Sequence, residues 1–450
     1  MSSIFKTYDI RGEYPAQWNQ ETAYRIGRYL PALMGVESIL VGRDARLSSE
    51  EICKALARGI LESGCNVVDV GQCSTPSLYF ATSYYDFGAS VMITASHNPP
   101  QYNGLKISGR DSIPVGHANG LAELERHTLH DPGSGTAQGT HCFLDISESY
   151  LGHLAQFQEG IGSLKVVVDC SDGMAGVFIH EVIKDLPAQF TFMYDVPDGR
   201  FPHHDPNPLV EANLSDLKQK VVEQNADVGL CFDGDADRVM FVDEKAAFVS
   251  PDLITALLGL HFFKHVPRKT RDRSVVLYDV RSSRSVVEYV QKLGGIPRVC
   301  RVGHSFAKRL LRETNGIYGG ELAGHYYFSE NYYCDSGMIA ALTALSILSR
   351  EQSALSELIS RIDKYAYSGE INFTVDGKEA AIADVLSHYR QGQLTDIDGI
   401  RVDFPTWWFN LRPSNTEPLL RLVVEANDDE ELGRRVKELR HLLCEHTREE

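Results

Sequence analysis

Short apolar runs rich in β-branched residues punctuate the chain: SILV (38–41), CNVVDV (65–70), SVMIT (90–94), KVVVD (165–169), DVGLCF (227–232) and SVVLY (274–278). Runs of this length predict strands, and the patterns between them predict helices. Strands alternating with helices predict α/β units whose sheets are covered on both faces. Several of these strands run directly into polar or glycine-rich sequence, as in ITASHNP, VVDCSDGMAG, FDGDADR and YDVRSSR. Open α/β sheets bind ligands beyond their strand ends, so these loops are candidate site elements.

At 450 residues the chain is long for one core. A prior of about 150 residues per domain suggests roughly three domains or a few smaller ones, with clefts between them. The repeated plan of strand and polar loop predicts related α/β modules over residues 1–143, 144–246 and 247–365. DPGSGTAQGT (131–140) is a connection near the first boundary. Near residues 365–370 a helical pattern gives way to the extended SGEINFTV, which opens a smaller α+β unit over 366–450.

The formal charge of −17, with no block of Lys or Arg, argues against nucleic acid or an anionic membrane as partner. A cleft can still focus positive charge onto a small anion. No apolar run reaches the roughly 18 residues needed to span a bilayer. The nine cysteines are scattered without a C-x-x-C pair, so reduced buried thiols are expected. MSSIFKTYD at the start lacks the parts of a secretory signal, and a cytoplasmic protein is expected.

Four stretches carry candidate chemistry. Ser96, in TASHNPP, follows a strand and is either an exposed nucleophile or part of a polar turn closed by prolines. In DGDADR, Asp233, Asp235 and Asp237 would repel one another without a cation between them. Hard oxygen ligands with no His or Cys favour Mg²⁺. The alternatives are an acidic turn or a calcium loop, although an EF-hand would need a Glu at its twelfth position. RPSNTEP supplies Arg412, Ser414, Asn415 and Thr416, a mixture suited to a phosphate dianion or to an ordinary turn. GGELAGH combines Glu321 and His325 beside glycines, which suits sugar hydroxyls or a surface loop.

Together, in this order, these motifs resemble the α-D-phosphohexomutase superfamily along essentially the whole chain. Further matches are YDIRG (8–12), GRD (42–44), YNGLK (102–106) and GHSFAK (303–308). Within the superfamily the chain is most similar to bacterial phosphomannomutases, through SNTEP (414–418), YCDSGM (333–338) and WFNLR (408–412). The resemblance implies three similar α/β domains with mixed sheets plus a TATA-binding-protein-like C-terminal α+β domain around a central cleft.

It further implies an isomerase that interconverts mannose 6-phosphate and mannose 1-phosphate through phospho-Ser96 and a hexose 1,6-bisphosphate, the latter also serving as activator. Phosphoglucomutase or dual activity is the alternative. Ser96, Asp233, Asp235 and Asp237 would hold Mg²⁺. His97, Arg238 and Arg11 would join Ser96 in catalysis, with Lys106 and His325 as candidates for proton transfer. Tyr8, His304, Lys308, Glu321, His325, Arg412, Ser414, Asn415, Thr416 and Arg421 would bind the hexose phosphate. A monomer or weak homodimer is expected. One departure is Ala323, where the family usually has a serine, so a hydroxyl that would contact the sugar is missing. A metal phosphatase fits the acidic loop but explains neither Ser96 nor the sugar loop. A silent sugar-phosphate sensor could dispense with Ser96 or the acidic loop.

Overall fold

The computed structural model describes every residue except 1–2, 134, 136–137, 266–267, 376, 414–418, 445 and 447–450. All six apolar runs form strands: Ser38–Arg43, Asn66–Gln72, Ala89–Ile93, Lys165–Asp169, Val228–Phe232 and Val275–Asp279. Each lies parallel to at least one neighbour. Parallel strands are buried on both faces, which is why these segments read as continuous apolar runs.

The first sheet has six strands in the order Ile10–Glu13, Tyr102–Gly109, Ala89–Ile93, Ser38–Arg43, Asn66–Gln72, His141–Phe143. The second has five: Phe248–Val249, Val239–Asp243, Val228–Phe232, Lys165–Asp169, Gln189–Met193. It takes in Phe248–Val249, just past the boundary expected at residue 246. The third also has five: Ile296–Cys300, Val275–Asp279, Tyr318–Gly320, Tyr326–Phe328, Cys334–Asp335. All three sheets are mixed.

The three sheets share one device. Ala89–Ile93, Val228–Phe232 and Tyr318–Gly320 are each parallel to one neighbour and antiparallel to the strand that follows directly in the chain. Each sheet therefore carries a hairpin at the same topological place. The three hairpin connections contain TASHNPP, DGDADR and ELAGH, so the repeated architecture itself delivers the candidate loops.

The C-terminal sheet is antiparallel throughout, in the order Ala366–Thr374, Leu419–Ala426, Trp407–Pro413, Ile400–Asp403, Gln393–Thr395. The helices Lys378–His388 and Asp429–Cys444 add Ala381, Val385, Leu439 and Leu443 to its core. The first and C-terminal domains close separate apolar cores. The second and third share one, in which Val168, Leu230 and Phe241 join Ile254, Val276 and Tyr326. Full burial of such a side chain contributes about 1.5–3 kcal/mol. No helix among the described residues is long and apolar enough to cross a membrane.

Candidate active site

Ser96 lies in its hairpin with φ 51°, left-handed backbone that a non-glycine residue adopts only when its surroundings impose it. Its N–H donates to Thr94 Oγ1 at 2.9 Å. Its carbonyl accepts from Arg46 Nη2 at 2.8 Å, and the same buried guanidinium donates to the carbonyls of Asn98, Pro99 and Tyr102. Asp44 Oδ2, 3.1 Å away, balances the Arg46 charge.

The acidic hairpin packs directly on this loop. A Cβ at Gly234 would stand 2.5 Å from the Ser96 carbonyl oxygen, so only glycine permits the approach. As a result the Ser96 hydroxyl donates to Asp233 Oδ2 at 2.8 Å. Asp233, Asp235 and Asp237 are fully buried and offer ligand oxygens within 4.8 Å of one another. Asp235 Oδ1 and Asp237 Oδ1 are buried with no hydrogen-bond partner among the described residues. Orphaned carboxylate oxygens grouped beside a serine hydroxyl fit a hard divalent cation.

Lys106 bridges two of these carboxylates, with Nζ 2.6 Å from Asp235 Oδ2 and 2.5 Å from Asp237 Oδ2. Thr75 also donates to Asp235 Oδ2, at 2.5 Å. Burial opposes the Lys106 charge, but the two carboxylates outweigh it and raise the pKa. Burial, then Asp237 and Asp235, pushes Asp233 well up. Burial also raises Asp237, but Lys106, His325 and Arg238 more than reverse this and hold it well down.

The third hairpin meets the second through Arg238. Its backbone forms an antiparallel bridge with His325, and its Nε donates to His325 Nε2 at 3.1 Å. Glu321 Oε2 sits 3.0 Å from His325 Nδ1, so in the neutral ring Nδ1 carries the proton and Nε2 accepts. Burial and Arg238 oppose a second proton on the ring, but Asp237 and Glu321 favour it and bring the pKa up to about 9. That proton would face Asp237 Oδ1, 3.4 Å from Nε2. Glu321 also accepts from the Gly303 N–H at 2.6 Å and the Tyr327 hydroxyl at 2.7 Å. Burial raises the Glu321 pKa, yet His325, Tyr327 and Gly303 bring it down to about 2.

Most of the remaining expected residues border this cluster. His97 Nδ1 lies 3.3 Å from Ser96 Oγ, and burial, then Arg238 and Arg11, pushes its pKa well down. Arg11 donates to Asn98 Oδ1 at 2.8 Å and Asp9 Oδ2 at 2.6 Å. Tyr8 meets His304 edge to face at 5.0 Å, and His304 in turn lies 5.8 Å from the His325 ring. Burial, then Lys308 and Lys106, pushes the His304 pKa well down. Lys308 is fully buried between domains, with Nζ 3.6 Å from the Tyr79 ring centroid and 3.2 Å from Asp335 Oδ2. Ala323 is half-buried in the Glu321 turn.

Arg412 and Arg421 lie apart from the serine, opposite each other on adjacent C-terminal strands. Ser414, Asn415 and Thr416 fall outside the described residues. Arg281, of the third domain, lies 3.7 Å from Glu370, which also faces Arg412 and Arg421. It connects to the third hairpin through Asp279, which accepts from Arg281 Nη2 at 2.7 Å and from the Leu322 N–H at 2.8 Å.

Sequence reasoning missed Arg46, Thr75, Tyr327 and Asp335. Arg46 follows the GRD motif by two residues, and Asp335 lies inside YCDSGM, so proximity to a quoted motif was the available signal. Nothing in the sequence marks Thr75 or Tyr327.

Four family profiles match the chain in order: phosphoglucomutase/phosphomannomutase alpha/beta/alpha domains I, II and III over residues 2–131, 148–246 and 250–365, and the C-terminal domain over 370–442. A phosphohexose mutase of Xanthomonas campestris is 39% identical over 448 residues, covering 98% of both chains. A phosphomannomutase of Escherichia coli is 36% identical over 441 residues, covering 95% of this chain and 96% of its own. A crystal structure of a phosphoglucomutase/phosphomannomutase family protein from Burkholderia thailandensis superposes with a TM-score of 0.88 at 30% identity, covering 98% of this chain and 96% of its own. The chain belongs to the phosphoglucomutase/phosphomannomutase family and is a phosphohexomutase, an isomerase that acts as an intramolecular phosphotransferase.

Proposed function

We propose that the protein is a phosphomannomutase that interconverts mannose 6-phosphate and mannose 1-phosphate, with Ser96 as phosphoryl carrier and a hexose 1,6-bisphosphate as intermediate and activator. The observation that carries this reading is the Ser96 hydroxyl 2.8 Å from Asp233, at the edge of the buried acidic trio. Asp233, Asp235, Asp237 and Ser96 would hold Mg²⁺. When bound, the ion supplies charge neutralisation for the phosphoryl group.

In the forward step a sugar hydroxyl oxygen bonds to the phosphorus on Ser96 as the Ser96 Oγ–P bond breaks. The hydroxyl loses its proton, and Lys106 and His325 are the candidates for that transfer. The carboxylates beside them hold both protonated, so either would return a proton as it stands and would take one only with those carboxylates committed to the ion. Arg238 and Arg11 add positive charge around the phosphoryl oxygens. Arg412 and Arg421, with Ser414, Asn415 and Thr416, grip the phosphate that is not reacting. The bisphosphate then turns over, and its other phosphoryl returns to Ser96. Ground-state positioning by these residues accounts for much of the expected acceleration.

Glu321 reads the sugar. Three of its roughly four acceptor sites are taken by Gly303, His325 and Tyr327, leaving about one for a hydroxyl. With Ala323 in place of a serine, a second hydroxyl-reading group is absent, so mannose and glucose phosphates should be discriminated modestly. Incubation with labelled hexose bisphosphate should transfer label to Ser96 in the parent and not in Ser96→Ala. Label found elsewhere, with the alanine variant still active, would overturn the carrier assignment. Parallel rates on mannose, glucose and glucosamine phosphates decide the sugar.

A further inference from the structure

Three guanidiniums converge on one carboxylate at the junction of the third and C-terminal domains. Glu370, on the strand Ala366–Thr374, lies 3.1 Å from Arg421 Nη1, 3.6 Å from Arg412 Nη2 and 3.7 Å from Arg281 Nη1. Arg412 and Arg421 stand directly opposite each other on neighbouring antiparallel strands, an arrangement that like charges disfavour. Arg281 comes from the third domain, where Asp279 holds it and the Tyr367 hydroxyl donates to its carbonyl at 3.2 Å. Glu370 is thus the carboxylate common to three cations from two domains, with Asp398, 3.8 Å from Arg412 Nη1, and Asp279 on Arg281 as further counter-charges. Arg412 Nε is buried with no hydrogen-bond partner among the described residues, so this cluster retains donor capacity for a further acceptor.

Phosphate and carboxylate compete for the same guanidinium faces. We infer that Glu370 is an internal competitor of the non-reacting phosphate, a positioning residue that holds Arg281, Arg412 and Arg421 together between turnovers and weakens their grip when the phosphate must let go. The inference rests on the phosphate role given to Arg412 and Arg421 above. The chemistry supplies a reason for such a residue. Tighter binding of a phosphate that does not react stabilises ground and transition states alike and gains nothing in kcat. The bisphosphate must also release this grip once in every turnover before its other end can be held.

The test uses the intact protein and inorganic phosphate as probe, titrated calorimetrically at low and high sodium chloride, alongside steady-state rates. Gln is nearly isosteric with Glu, and the Glu370 side chain is 25% exposed, so Glu370→Gln should fold, as checked by thermal unfolding. It should bind phosphate about fivefold or more tightly, with a steeper salt dependence. KM should fall together with kcat, a split that a scaffolding loss would not produce. Glu370→Asp keeps the charge and should stay near the parent.

An unchanged or weaker phosphate affinity in Glu370→Gln, or equal tightening in both variants, overturns the inference. Arg412→Gln separates this from the underlying reading. If it loses phosphate while Glu370→Gln matches the parent, only the competitor role falls. If all three proteins bind phosphate alike, the phosphate assignment of this cluster falls with it.

Discussion

Lys308 and Asp335 form an ion pair 3.2 Å apart in which neither side chain has any solvent exposure. Both charges have left water, so each depends on the other, and on the Tyr79 ring over Lys308, for compensation. Lys308→Met should cost about 3–5 kcal/mol in urea unfolding because it strands the Asp335 charge. Lys308→Met with Asp335→Leu should recover most of that loss. A double variant as unstable as the single would show that packing, and not the pair, holds this seam. A folded double variant without turnover would assign Lys308 a part in substrate binding as well.

Arg46 joins the Ser96, Asn98, Pro99 and Tyr102 carbonyls through one planar fork. A lysine keeps the charge but cannot reach several carbonyls in that geometry. Arg46→Lys should therefore lose about 2–4 kcal/mol of stability and more than about tenfold in turnover, as the left-handed Ser96 conformation relaxes. Calorimetric unfolding and mutase rates check this. Parental values for both would remove Arg46 from the support of the serine loop.

Asp235→Asn keeps an acceptor for Thr75 and Lys106 while removing one of three clustered charges. The fold should survive, as read by circular dichroism. The Mg²⁺ concentration for half-maximal rate should rise by about tenfold or more, since charge count governs such sites. An unaltered magnesium dependence would contradict the metal assignment.

Asp252 gives a pH prediction away from the reacting groups. Burial pushes its pKa up to about 6, only partly offset by hydrogen bonds from Ser250 and the Ser283 N–H. The native state thus holds this proton more tightly than the unfolded chain, whose carboxyl titrates near 3.8. The stability gained in the protonated form is complete below that value and is lost as pH rises through about 6, a change of about 3 kcal/mol. Asp252→Asn has no such proton to lose. The stability difference between variant and parent should therefore move in favour of the variant between pH 4 and 7. A constant difference across that range would refute the assignment.

The apolar runs that predict strands do so because parallel strands are buried on both faces, and the structure keeps all six. Two-residue strands such as Phe248–Val249 and Cys334–Asp335 were unreadable, since two residues carry no periodicity. Ser96 and the acidic trio were readable because their chemistry is concentrated in a few consecutive positions. Arg46 was not, because its partners are main-chain carbonyls, which have no sequence identity. Lys308 illustrates a different limit. It is expected to bind substrate, and nothing in the sequence pairs it with Tyr79, more than two hundred positions earlier, whose ring centroid lies 3.6 Å from its ammonium.

The shared core of the second and third domains implies that the four domains of the sequence are not four cooperative unfolding units. Val239 N–H donates to the Gly324 carbonyl and Gly337 N–H to that of Ala236, so main-chain bonds also stitch the two domains together. Amide exchange across residues 144–362 should therefore report one common opening, with the connection at 246–250 protected as part of it. The C-terminal sheet, with a core of its own, should open separately and at lower free energy, dividing the molecule near residues 363–369.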